Sequence, residues 1–182
     1  IIVPIPWEVT VSYKGGTAIA PMAILDASAQ VDLFVKDIPD AWKLGIAMLP
    51  FPEKIKQESD ALRTLAEKHI EKLESGDESG DKLSLDKVNE ASESLVIYTK
   101  NTIKKYLKLN KLVGLLGGDH STPLGFIHAL SEEHEFGILQ IDAHADLRKS
   151  YEGFTYSHAS IMYNALKVPA VRKLVQVGIR DY

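Results

Sequence analysis

The sequence predicts an α/β domain in which a mostly parallel sheet is covered by helices. Short runs rich in Val, Ile, Leu and Phe alternate with longer stretches of helical period. The short runs are continuously apolar rather than alternating, the pattern of strands buried on both faces. A chain of 182 residues with 45% apolar content is also long enough to bury the core of one domain. The β-α-β-α order favours parallel pairing with helical crossovers.

Each element follows in turn. Residues 1–5 read as the first strand, and residues 21–35 as a helix entered at Pro21, a residue suited to a first turn. Residues 44–49 read as a second strand. Residues 53–73 place Ile55, Leu62, Leu65, His69, Ile70 and Leu73 near one stripe, with Lys and Glu elsewhere. The polar stretch 74–82, with two glycines, reads as a mobile surface linker inside one domain spanning 1–182. A second long helix is predicted over 84–109, a strand over 112–116, and a shorter helix over 122–131 that Ser121 or Thr122 could cap. The strand 136–141, a helix over 159–167 and the strand 173–179 complete the series.

Composition narrows the function. A formal net charge of −4 argues against a partner held by its phosphate backbone, so no nucleic acid is expected. The absence of cysteine removes disulfide scaffolds, thiolate-held metals and thiol nucleophiles. No window is apolar enough for a membrane span, and residues 1–20 lack the basic start of a signal peptide, which points to the cytoplasm. The chain opens without Met on Ile1-Ile2-Val3 and closes just after Leu174-Val175-Gln176-Val177, strand-like at both ends. It therefore reads as part of something longer.

In parallel α/β sheets ligands bind beyond the carboxyl ends of the strands. Two clusters stand there: Gly117-Gly118-Asp119-His120-Ser121 after one strand, and Asp142-Ala143-His144-Ala145-Asp146 after the next. In an extended segment Asp-x-His-x-Asp sets all three side chains on one side. Crowding three ionisable groups is costly unless a cation offsets them. Carboxylate and imidazole donors without sulfur suit Mn²⁺, Mg²⁺, Fe²⁺ or Zn²⁺. Of the other histidines, His69, His128 and His134 read as structural.

These clusters, with Ser157-His158-Ala159-Ser160, resemble the ureohydrolase family: arginases, agmatinases and relatives that hydrolyse guanidino or formimino groups on two Mn²⁺ ions. Asp146-Leu147-Arg148, Tyr151-Glu152-Gly153 and Tyr156-Ser157-His158 are most similar to the agmatinase branch. Val3-Pro4-Ile5-Pro6, Ser12-Tyr13-Lys14-Gly15-Gly16-Thr17 and Val177-Gly178-Ile179-Arg180 extend the resemblance over nearly the whole chain. It implies a three-layer α/β/α fold, of which this chain would be about the first two-thirds. It also implies that His120 and Asp146 ligate one manganese, His144 the other, and Asp142 both. A shared hydroxide would attack the guanidinium carbon, with His158 aiding substrate positioning or proton transfer. The implied substrate is a small guanidino compound, most simply agmatine, cleaved to putrescine and urea. The implied assembly is a cytoplasmic homo-oligomer, trimeric or hexameric.

The sequence departs from the family where a later Asp-x-Asp pair, which completes both metal shells, would follow; none stands after Asp181. Arg148 occupies the position where arginases carry Asn, which favours agmatinase over arginase; guanidinobutyrase and formimidoylglutamase stand as alternatives. Two readings of another kind stand beside these. One is a non-catalytic fragment or degenerate member, and the other a mononuclear metal hydrolase of unrelated fold.

Overall fold

A computed structural model describes residues 1–181. The strands are β1 (Ile2–Ile5), β2 (Gly114–Gly117), β3 (Phe136–Ile141) and β4 (Val171–Val177). The helices are α1 (Ala20–Ser28), α2 (Glu53–Glu74), α3 (Lys82–Leu107), α4 (Leu124–Leu130) and α5 (Ile161–Ala165). The strands form two parallel pairs. β1 lies on β2 with Ile2 opposite Gly114, and β3 lies on β4 with Leu139 opposite Val175.

The long helices match the sequence expectation because their apolar stripes persist over many turns. α3 begins where the Asp81 side chain accepts from the Ser84 N–H at 3.2 Å. That bond satisfies one of the amides a helix start leaves unpaired. Three expectations fail. Residues 44–49 form no strand: only Met48 bridges to Ile2, and a 3-10 turn occupies Ala41–Leu44. The first helix stops at Ser28 rather than 35, where the Ser28 hydroxyl turns back to the Leu25 carbonyl at 2.6 Å. α4 has no side-chain cap, since Ser121 and Thr122 both bond to Asp119 instead.

Two cores hold the molecule together. Val3, Ile5, Trp7 and Val9 pack against Leu62 and Ala66 of α2, Val88, Leu95 and Ile103 of α3, and Phe154. Leu124, Ile127, Ile161, Met162, Ala165, Val168 and Val171 form the second, beneath β3 and β4. Only β1 is buried nearly throughout; β3 and β4 alternate between covered and exposed residues. Burial on both faces was expected from their continuous apolar runs. Among the described residues nothing covers the second face.

Candidate metal centre

The chain turns sharply as it leaves β2. Gly118 has φ of 62°, and a Cβ there would lie 2.5 Å from the Trp7 carbonyl oxygen, so only glycine lets the two backbones approach. The turn brings His120 toward the loop after β3. His120 Nδ1 lies 2.6 Å from Asp146 Oδ2 and 3.0 Å from Asp142 Oδ2. Ligand atoms of His120, Asp142 and Asp146 all fall within 4.8 Å of one another. Asp146 is held at φ of 51°, a left-handed conformation uncommon outside glycine. Its carbonyl accepts from the Met162 N–H at 3.0 Å, which fixes the loop to α5.

His144 stands at the edge of this group, largely exposed, with Nδ1 3.5 Å from Asp142 Oδ1. Of the four metal ligands expected from the sequence, three converge here and His144 lies outside them. His158 opens a 3-10 turn leading into α5. Its Nδ1 is buried without a hydrogen-bond partner among the described residues, and its ring meets Tyr151 edge-on at 5.9 Å. A cavity of about 490 Å³ is lined by Ser12, His144, Asp146, Arg148, Tyr151, His158 and Asp181, among others. The Arg148 guanidinium lies 5.0 Å over the Tyr151 ring.

The electrostatics suit a cation. Burial pushes His120 down, but the Asp146 hydrogen bond and the charges of Asp146, Asp142 and Asp119 carry it above its ordinary value. Burial pushes Asp142 up, yet the His144 N–H, the Gln140 amide and the two imidazoles hold it below the usual carboxylate range. Burial raises Asp119, whose Oδ2 has no partner among the described residues. One imidazole nitrogen thus faces two carboxylates, an arrangement that a cation would balance. Its oxygen and imidazole donors fit a divalent ion of Mn²⁺ or Zn²⁺ type.

Sequence reasoning missed two glutamines. Gln140 of β3 donates to Asp142 Oδ2 at 3.2 Å and to the His144 carbonyl at 3.0 Å. Gln176, its register partner on β4, donates to Gln140 Oε1 at 2.6 Å and to the Ala145 carbonyl at 2.7 Å. Together they orient the loop 142–146 from beneath, as outer residues commonly do for metal-binding side chains. The available signal was a lone amide in each apolar strand.

A parallel α/β fold that gathers this donor set beyond the carboxyl ends of its strands defines a candidate metal-binding site. The sequence model of the arginase family matches residues 1–182, and the chain belongs to that family. An N(1)-aminopropylagmatine ureohydrolase of Thermus thermophilus is 30% identical over 99% of this chain and 50% of its own length. The crystal structure of the agmatine ureohydrolase of Thermoplasma volcanium superposes with a TM-score of 0.67 at 22% identity, over 100% of this chain and 50% of that one. The arginase from Medicago truncatula superposes with a TM-score of 0.71 at 24% identity, over 100% and 49%. The arginase-like fold expected from the motifs is therefore present. The chain spans about half the length of these relatives, less than the two-thirds that the motifs suggested.

Proposed function

We propose that the protein of which these residues are part hydrolyses a small guanidino compound at a two-manganese centre, most simply agmatine to putrescine and urea. The observation that carries this reading is the convergence of His120, Asp142 and Asp146 beside the cavity that His158 lines. The naming of a relative as an aminopropylagmatine ureohydrolase supports an amine-tailed substrate. His120, Asp142 and Asp146 would hold metal, with His144 turning in from the edge. Divalent ions there would supply Lewis-acid activation of water near neutral pH.

The chain's own residues do the rest. Gln140 and Gln176 keep Asp142 aimed at the centre, and α5 keeps Asp146 in place. In the reaction a water oxygen bonds to the guanidinium carbon and the bond to the alkyl nitrogen breaks. The leaving nitrogen takes up a proton, a role we assign to the His158 imidazole because it lines the cavity. The same reading carries a cytoplasmic homo-oligomer, trimeric or hexameric.

The test is urea release from agmatine, N(1)-aminopropylagmatine, arginine and guanidinobutyrate by the full-length protein with Mn²⁺. Fastest turnover of arginine or guanidinobutyrate would overturn the amine-tailed substrate, and no urea from any of them would overturn the reading itself. Isothermal titration with Mn²⁺ adds a separate measure: Asp142→Ala should lose metal binding, while His158→Ala should retain it and lose turnover.

A further inference from the structure

The His158 ring is reached by a device that begins far away, on α2. Tyr151 and Phe154 close a two-residue turn by reciprocal bonds, Phe154 N–H to the Tyr151 carbonyl at 2.8 Å and Tyr151 N–H to the Phe154 carbonyl at 3.2 Å. The central residues Glu152 and Gly153 have φ of 51° and 83°, the positive values a type I′ turn requires. One flank, Phe154, is fully buried in the first core; the other, Tyr151, packs edge-on against His158. The turn therefore sets where the Tyr151 ring sits, and through it the imidazole that lines the cavity.

His69 grips this turn from behind. It is 2% exposed, and its ring meets Phe154 edge-on at 5.3 Å. Its Nδ1 accepts from the Asp81 N–H at 2.9 Å, and its Nε2 lies 2.9 Å from the Glu152 carbonyl. A backbone amide only donates and a carbonyl only accepts. The two partners therefore fix the tautomer: Nδ1 is the bare nitrogen and Nε2–H donates to Glu152. Gly80 leaves room for the ring, since a Cβ there would lie 2.4 Å from it. One side chain thus ties the end of the segment joining α2 to α3 to the turn that braces His158.

We propose that His69 is a positioning residue for the reaction, acting on His158 through the Tyr151–Phe154 turn. This rests on the ureohydrolase reading for its catalytic readout, but its structural readout does not. Two substitutions separate the halves of the imidazole. Gln places an amide nitrogen near the Nε2 position and keeps the donor to Glu152; Asn places an oxygen near the Nδ1 position and keeps only the acceptor for Asp81.

In the full-length protein, amide hydrogen exchange over residues 151–158 and urea release are measured for wild type, His69→Gln and His69→Asn. His69→Asn should speed exchange across the turn and lower kcat by about tenfold or more with KM little changed, since small misplacement of a catalytic group is costly. His69→Gln should restore both to within roughly threefold of wild type. Equal effects of the two substitutions, or no effect of Asn on exchange in the turn, would overturn the proposal. If wild type releases no urea, the exchange comparison still decides whether His69 holds the turn, and the failure belongs to the ureohydrolase reading.

Discussion

Asp81 acts with three different groups at once. Its N–H caps the His69 ring, its carboxylate accepts from Ser84 at the start of α3, and Lys68 Nζ lies 2.9 Å from Oδ2. The Lys68 hydrogen bond, then the Ser84 N–H, draw its carboxyl from an ordinary 3.8 to about 2. A depressed folded value means that the charged form stabilises the fold above the unfolded value, and that this contribution is lost as pH falls through the folded one. Stability from Asp81 should thus be complete above pH 3.8 and fade toward pH 2. Asn caps helices about as well as Asp, so Asp81→Asn removes the charge and keeps the cap. The melting-temperature difference between wild type and Asp81→Asn should shrink over that window. A constant difference from pH 5 to 2 would mean the ion pair contributes nothing.

Among the elements, α3 and α4 cross closely at Gly125. A Cβ on Gly125 would lie 2.5 Å from the Val96 carbonyl oxygen, 2.6 Å from Thr99 Cβ and 2.9 Å from the Lys100 nitrogen. Two of these are backbone atoms inside a long helix and cannot swing aside. Alanine normally favours a helix over glycine by roughly 0.5–1 kcal/mol. Here overpacking should outweigh that gain, and Gly125→Ala should cost about 1–3 kcal/mol, read from the midpoint of urea unfolding. An unchanged or raised midpoint would show that the helices stand further apart. The same crossing shows what the sequence makes legible. α2 and α3 are readable because Leu62, Ala66, Val88, Leu95 and Ile103 repeat at helical spacing. Residues 44–49 are not, because an apolar run states burial without stating a partner, and only Met48 pairs. In the site, the alternating Asp142, His144 and Asp146 announce themselves by spacing. Gln140, Gln176 and His69 do not, because their partners lie far along the chain or are backbone atoms.

At the scale of the whole molecule, β3 and β4 present two unlike faces. Ile138, Gln140, Leu174 and Gln176 are turned to the second core or the metal loop, whereas Leu139 and Ile141 are 64% and 79% exposed and Val175 and Val177 are 40% and 49% exposed. Register places Leu139 beside Val175 and Ile141 beside Val177, so the four side chains form one contiguous apolar patch rather than scattered residues. Soluble monomers seldom leave such a patch bare, because apolar area gains roughly 25 cal/mol per Å² when it leaves water. No helix among the described residues is long and apolar enough to cross a membrane, so lipid contact through such a helix does not account for it. The relatives carry about as much chain again beyond the matched region, enough to cover a sheet face. It follows that the 182-residue polypeptide on its own should bind the dye ANS and associate with rising concentration in sedimentation velocity. Leu139→Glu should suppress both while leaving the melting temperature of dilute protein nearly unchanged, because a bare side chain has no packing to lose. A sharp fall in that melting temperature would mean that Leu139 is already buried within the single chain, and that this sheet face is covered from inside.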